Sequence, residues 1–340
     1  MYKQEEGETN MPAISVIIPL FNQEALVEKT MDSLVSQGFR DFEIILVDDA
    51  STDRSVEIAE RVLGKSGLRW TLIRSTSNRG ASETRNTGLD RASGKGVFFL
   101  DGDDRLSPEA LGSLWVTMTE TGSPIAFCGF RVSPENGSEG KAYSMKLPAG
   151  RRKIGSIELM KAYLKGKRYL NASNVLYDLA FLKEKGIRFP RGCRFAEDRE
   201  FILKACFQAG TVGVLPEPLA TYIQHSGQST SRMGNNPVKY AHEAAVYLRL
   251  RKYLQECGAA PHLVRLIETV EIPGAVVKMA TSAVRSGRED LFWRYVRSGK
   301  MVELARRGAG SWHIKPEVAF KSMLFSFAPA LLLRLYRRKA

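Results

Sequence analysis

The stretch Val97 to Asp104, VFFLDGDD, holds the residues best suited to chemistry. Val97, Phe98, Phe99 and Leu100 read as a buried strand that runs without a break into Asp101, Gly102, Asp103 and Asp104. Three carboxylates around one glycine at a strand end repel one another unless a cation or a cationic ligand neutralises them. Mg²⁺ or Mn²⁺ suits such oxygens. Each takes few protein carboxylates and fills its shell with water and phosphate oxygens, so the donor set points to a metal-bridged diphosphate. The alternative is a polar loop ahead of a helix opened by Ser107 and Pro108, and the triplet alone does not separate the two. A second acidic pair, Glu197 and Asp198 in FAEDREFILKACFQAG, opens a helix whose apolar face is Phe201, Ile202, Ala205 and Cys206. Helix dipoles favour first-turn carboxylates, so simple capping stands beside a catalytic role for this pair.

Strand ends have to hold these groups. Ala13–Asn22 reads as a short apolar strand ended by Pro19 and an aromatic-polar loop, followed by a helix over Glu24–Ser36 with Gly38 as its stop. Glu43–Asp49 is a second strand ending in two carboxylates, with a helix after it to about Leu63. Trp70–Arg74 is a third strand, and SNRGAS leads into a helix over Ser82–Ala92. The alternation βαβαβαβ predicts a parallel sheet with right-handed crossovers and helices on both faces. Ligands of such sheets sit beyond the carboxyl ends of the strands. Phe21 and Asn22, Asp48 and Asp49, and Asp101 to Asp104 all lie at that end, and one ligand spanning adjacent strand ends accounts for them together.

Further along, PIAFCGFR (Pro124–Arg131) is expected to add a strand, and SPENGSEGKAY to form an exposed hairpin or flap. Helices are expected over Ser156–Lys165, over LAFLKEKG as far as Gly186 after NASNVLYD, and from the acidic pair onward. Leu219–Gln224 reads as a strand with His225 directly after it.

The 340 residues carry a net charge of +13 with 44% hydrophobic content, enough for a substantial core. Cys128, Cys193, Cys206 and Cys257 show no paired spacing, which argues against a disulfide framework or a zinc site. The polar, acidic start MYKQEEGETNM lacks a secretory pattern and is expected to be a flexible tail over residues 1–12. Residues 241–340 hold 18 Lys and Arg against 8 Asp and Glu, so the basicity is local. That excess suggests an anionic surface, either phospholipid or nucleic acid; no long Lys/Arg block of the nucleic-acid type and no recognised nucleic-acid motif is present, and no nucleic-acid partner is expected.

The runs SVIIPLFNQE, FEIILVDDASTD, SNRGASETRNTGLDRASGKGVFFLDGDD and FAEDREF, in that order over about residues 14–225, resemble the signature of family 2 glycosyltransferases of bacterial polysaccharide and lipid-linked glycan type. The resemblance implies the GT-A fold, an α/β Rossmann-like architecture with a mostly parallel central sheet and helices on both faces, plus a helical C-terminal extension. It implies a nucleotide-sugar site at Pro19, Phe21, Asp49, Arg79, Arg85, Asp101 and Asp103, with Phe21 stacking on the base and Asp49 accepting from it. Asp103, Asp104 and His225 would hold Mn²⁺ or Mg²⁺. Asp198 would be the catalytic base, and Glu197 would orient it or bind the acceptor. In one departure from the family pattern, Tyr222 is followed by Ile223 where an arginine is common, which puts a phosphate contact there in doubt.

The expected domains are a GT-A domain over residues 13–235, with a nucleotide half (13–105) and an acceptor half (106–235), and a basic helical region over 236–340. Helices are read over Tyr240–Cys257, Pro261–Val284 and Glu289–Arg307. The last segment, VAFKSMLFSFAPALLLRLYRRKA, is interrupted by Lys321 and Pro329 and falls short of the ~20 apolar residues of a spanning helix. It is expected to lie on the inner-membrane surface, with packing on the protein as the alternative. The function expected is metal-dependent, inverting transfer from a nucleotide-diphosphate sugar, UDP-linked by preference, to a glycan or lipid-linked acceptor. The place expected is the cytoplasm, peripheral on the cytosolic face of the membrane; a homo-oligomer is compatible with the composition. The rival readings are a non-catalytic membrane scaffold and a nucleotidyltransferase, but PLFNQE lacks the Gly-rich basic loop of the latter. A dehydrogenase is disfavoured because no GxGxxG follows the first strand.

Overall fold

The computed structural model describes residues 11–136, 138, 140–167, 169–225 and 236–337. Most of the expected N-terminal tail, residues 1–10, lies outside them. The chain divides into two compact units. The first comprises Met1–Ile157, Arg168–Gly192 and Ala205–Gln224; the second comprises Glu158–Lys167, Cys193–Lys204 and His225–Ala340.

The first unit opens with β1 (Ile14–Leu20), α1 (Val27–Val35), β2 (Phe42–Asp48), α2 (Ser55–Leu63), β3 (Arg69–Arg74), α3 (Ala81–Arg91) and β4 (Gly96–Phe99). β1 is central, parallel to both β2 and β4, and β3 runs parallel along the outer edge of β2. Val16, Ile18, Ile44, Leu46 and Phe98 are buried in its core, as near-continuous apolar runs covered on both faces should be. α3 sits close over β1 because of Gly88, where a Cβ would lie 2.3 Å from Ile17 Cγ2. α1 begins three residues later than its pattern predicts. The amides of Asn22, Gln23 and Glu24 donate to Ser51 Oγ, Ser55 Oγ and Asp53, which commits those residues to a loop.

β5 (Arg105–Leu106), α4 (Ala110–Thr121), β6 (Ile125–Pro134), β7 (Lys141–Tyr143), β8 (Lys153–Gly155) and α5 (Ser156–Leu164) follow along the chain, then β9 (Val175–Asp178), α6 (Leu179–Glu184), α7 (Glu197–Gln208) and β10 (Thr211–Gln224). Most of α5 and the part of α7 up to Lys204 belong to the second unit. The sheet order is β3-β2-β1-β4-β9-β6-β10-β5. β9 is antiparallel to both β4 and β6, so the parallel half ends at β4. Its residues, VLYD, carried no strand signal of their own, being only four and followed at once by a helix. β7 folds back on β6 as the hairpin expected there. β10 begins at Thr211 rather than at Leu219, and register shifts around Pro218 interrupt its pairing with β6.

In the second unit, α8 (Pro237–Glu256) is followed by α9 (Pro261–Leu266), a π-helical stretch (Ile267–Glu271) and α10 (Ile272–Arg285), one continuous helical run as the sequence pattern implies. α11 (Glu289–Arg297), α12 (Gly299–Arg306), α13 (Pro316–Phe327) and α14 (Pro329–Arg337) complete it. α10 is buried on nearly every side and packs against α8, α11, α12, α13 and α14. That explains why it reads as apolar all round. No single helix among the described residues is long and apolar enough to cross a membrane; α13 and α14 pass that test only as a pair, bent by 119°.

Candidate active site

The site in the first unit is assembled around the carboxyl end of β1. The Leu20 carbonyl accepts from the Asp49 amide on the β2 side (2.8 Å), which turns Pro19 toward β4. There the β1–β4 pairing has already ended at Ile17 and Phe99, so the missing N–H of Pro19 costs the sheet nothing. Phe21 follows with 40% of its surface exposed, an unusual state for a phenylalanine beside a packed core. The loops after β1 and β2 are stitched together: beyond the three bonds already given, the amides of Thr52 and Arg54 donate to Asn22 Oδ1 and Glu24. Asn22 and Ala50 take positive φ values of 50° and 64°, conformations that non-glycine residues adopt at some cost and that concentrate at working sites.

Both carboxylates after β2 are engaged. Asp48 accepts from the Ser51 amide and shapes its own loop. Asp49 is buried, and its two oxygens accept from the amides of Arg79 and Gly80, each at 2.8 Å. It thereby clamps the loop that carries the exposed Arg79, while each oxygen keeps a second lone pair for a ligand.

The acidic cluster lies on the other side of β1. Gly102 is packed against that strand so closely that a Cβ would lie 3.2 Å from Leu20 Cδ1 and 3.4 Å from the Pro19 carbonyl oxygen, which accounts for a glycine between the aspartates. Asp101, Asp103 and Asp104 each offer an oxygen, and these lie within 4.8 Å of one another. Asp103 and Asp104 are buried. Burial pushes the Asp104 carboxyl well above its ordinary range, and the charges of Asp103 and Asp101 push it further, against hydrogen bonds from Ser173 and the Ile223 amide. Negative charge concentrated in this way fits a divalent cation, and an all-oxygen donor set suits Mg²⁺ or Mn²⁺. Asp101 is additionally held by Arg85 on α3, whose guanidinium is 2.6 Å away and is itself buried.

Several supporting residues carry no signal in the sequence. Ser173 touches both the Asp101 amide and the Asp104 carboxyl. Asn86, next to Arg85, makes reciprocal 3.0 Å bonds with the backbone of Phe189, whose ring packs at 5.0 Å on Phe99 and lies under Arg85. An asparagine inside a helix was the one available hint, since that residue prefers caps and turns.

Glu197, Asp198 and His225 belong to the second unit. Glu197 and Asp198 are half-buried in the first turn of α7, preceded by Ala196 at φ 59°. The next two residues are firmly anchored to α8. Arg199 Nη1 lies 2.7 Å from Glu243 and 2.9 Å from the Tyr247 hydroxyl, and Lys278 of α10 is 3.1 Å from the same glutamate. Glu200 is buried between Lys204 and Arg249, at 2.8 and 2.7 Å. His225 directly follows β10.

Residues 15–184, half of the chain, match the family described as glycosyl transferase family 2. The chain belongs to that family. It is 33% identical over 223 residues to the uncharacterized glycosyltransferase EpsJ of Bacillus subtilis (strain 168), covering 65% of this chain and 63% of EpsJ. To the poly(ribitol-phosphate) beta-N-acetylglucosaminyltransferase TarS of Staphylococcus aureus (strain Mu50 / ATCC 700699) it is 28% identical over 214 residues, 62% of this chain and 35% of TarS. It thus spans less than two-thirds of either relative. Residues 1–349 of S. aureus TarS, solved with UDP-GlcNAc, superimpose with a TM-score of 0.59 at 21% identity, over 95% of this chain and 89% of that one. A mannosyltransferase from Pyrobaculum calidifontis, solved with GDP-Man and Mn²⁺, gives 0.55 at 17% identity, over 97% and 88%. The α/β fold of GT-A type with a helical C-terminal region is therefore the one this family member has.

Proposed function

We propose that the protein transfers a sugar from a nucleoside-diphosphate sugar, UDP-linked by preference, to a hydroxyl of a glycan or lipid-linked acceptor in cell-surface polysaccharide synthesis. The observation that carries this reading is the meeting of the Asp49-clamped loop and the Asp101, Asp103 and Asp104 carboxylates around one strand end. Family membership and a related enzyme solved with UDP-GlcNAc support the donor class.

In this scheme Phe21 stacks on the base, Asp49 accepts from it, and Arg79 and Arg85 face the ribose and phosphates. Asp101 keeps Arg85 in place, and Asp103 reaches the ribose. Asp103, Asp104 and His225 would hold Mn²⁺ or Mg²⁺, which when bound supplies positive charge against the donor's diphosphate. Asp198 takes the proton of the acceptor hydroxyl as its oxygen bonds to the anomeric carbon. The bond from that carbon to the diphosphate oxygen breaks in the same displacement, which inverts the configuration. Glu197 orients the base or the acceptor.

The test is a panel of nucleotide sugars with Mn²⁺ or Mg²⁺, reading release of nucleoside diphosphate with and without a chelator. One donor should be hydrolysed in preference to the rest, and the chelator should abolish its turnover. Asp198→Asn should still bind that donor and lose transfer; full transfer by this variant would remove Asp198 from its role.

A further inference from the structure

We infer that the outward faces of α13 and α14 form a docking surface for an anionic phospholipid bilayer, on which the protein lies without crossing. Among the described residues, seven of the eleven large apolar side chains that stand exposed fall between Trp312 and Leu335. On α13, Phe320, Met323 and Phe327 recur at helical spacing along one exposed face; Phe327 is 66% exposed. On α14, Leu331 and Leu335 do the same. The opposite faces are already used: Ala319, Ser322 and Phe325, and Leu332, Leu333 and Tyr336, are buried within the unit. Two short helices joined by a 119° bend and packed on one face into a protein core cannot span a bilayer without unpacking.

The charge identifies the occupant. Beyond Glu317 the sequence holds Lys321, Arg334, Arg337, Arg338 and Lys339, and no aspartate or glutamate. Lys321 and Arg337 are paired to Glu317 and Glu289, so Arg334 is the cation of α14 left to face headgroups among the described residues. Arg334 is exposed between Leu331 and Leu335, and the Arg306 guanidinium lies 5.2 Å from the centre of the Phe327 ring. Apolar side chains flanked by cations match the acyl boundary and the anionic headgroups of a membrane surface. A protein partner of ordinary surface composition would need its own acidic rim to match. The inference goes beyond sugar transfer and does not depend on it.

The experiment is flotation of the full chain with phosphatidylcholine vesicles, with and without phosphatidylglycerol, at low and high salt. The protein should float with the anionic vesicles, release as salt rises, and bind the zwitterionic ones at least about tenfold more weakly. The triple variant Phe320→Gln, Phe327→Gln, Leu331→Gln alters only exposed positions. It should lose binding by at least about tenfold while keeping its circular dichroism spectrum and its donor hydrolysis. Arg334→Glu, a milder change, should weaken binding to anionic vesicles alone. Failure to float at low salt, or unchanged flotation of the triple variant, would overturn the inference. So would a dimer that the triple variant converts to monomer, since a second copy would then be covering the face.

Discussion

Removing the Glu243 carboxylate tests how firmly the turn bearing Asp198 is held. Glu243 accepts from Arg199 at 2.7 Å and from Lys278 at 3.1 Å, with side-chain exposures of 10%, 29% and 55% respectively. The Lys278 contact is largely solvated and contributes below about 1 kcal/mol. The Arg199 contact is better shielded. Breaking a fully buried pair costs about 3–5 kcal/mol, but Arg199 keeps the Tyr247 hydroxyl and some water. Glu243→Ala should therefore destabilise the fold by about 2–3 kcal/mol, and Glu243→Gln, which retains an acceptor, by about half as much. Burial alone would raise the Glu243 carboxyl, but Arg199 and Lys278 outweigh it and hold the group below its ordinary value of 4.5. A depressed folded value means the stabilisation is present above pH 4.5 and fades as pH falls through the folded value. Urea unfolding of wild type and Glu243→Gln should accordingly differ at neutral pH, keep that difference down to about pH 4.5 and converge only below it, as the carboxyl takes up its proton. A double-mutant cycle with Arg199→Met isolates the pair. A coupling under about 0.5 kcal/mol, or a gap that widens in acid, would refute the reasoning.

Asp49→Asn presents an amide where two backbone N–H groups need acceptors; it should cost about 1–3 kcal/mol and raise the KM for donor more than it lowers kcat, read by unfolding and initial rates. Mn²⁺ should raise the Tm of the wild-type protein and leave that of Asp103→Asn nearly unmoved, as differential scanning fluorimetry would show. Gly88→Ala forces a methyl into Ile17 and should destabilise by about 1–3 kcal/mol, with the chemical-denaturation midpoint as readout. Ala196→Gly should be tolerated, whereas Ala196→Val, a β-branched residue at φ 59°, should lower both stability and kcat, measured side by side.

The parallel half of the sheet was legible because each strand is a run of Val, Ile, Leu or Phe that ends on a charged or turn-forming residue, and the helices between them end on glycine or polar caps. β9 was not, since VLYD is shorter than any periodicity and its place between β4 and β6 is decided by partners far along the chain. The acidic cluster could be read as a site because its charge is local in sequence. Its supports could not: Ser173 meets Asp101 across 72 residues, and Asn86 meets Phe189 across 103. Asp49 was read as a ligand contact, and its clamp on the Arg79–Gly80 backbone is a relation between two loops that no pattern in either one displays. Likewise nothing near Arg199 and Glu200 in the sequence points to their partners Glu243, Tyr247 and Arg249, which lie more than 40 residues on in α8.

The two borders of the sheet bear on how such a molecule survives in a crowded cell. An open strand offers unsatisfied amides and carbonyls to any passing chain and so can seed polymerisation. At one border β3 carries Arg69 and Arg74 at its ends, paired to Asp41 and Glu60, so a newcomer must displace hydrated charges before it can zip on. At the other, β10 is covered by β5, two residues long, and by β8, three residues long, and neither gives enough backbone to template much. Replacing Arg69 and Arg74 with valine would strip those charges from the edge and turn the β3 border into an adhesive one.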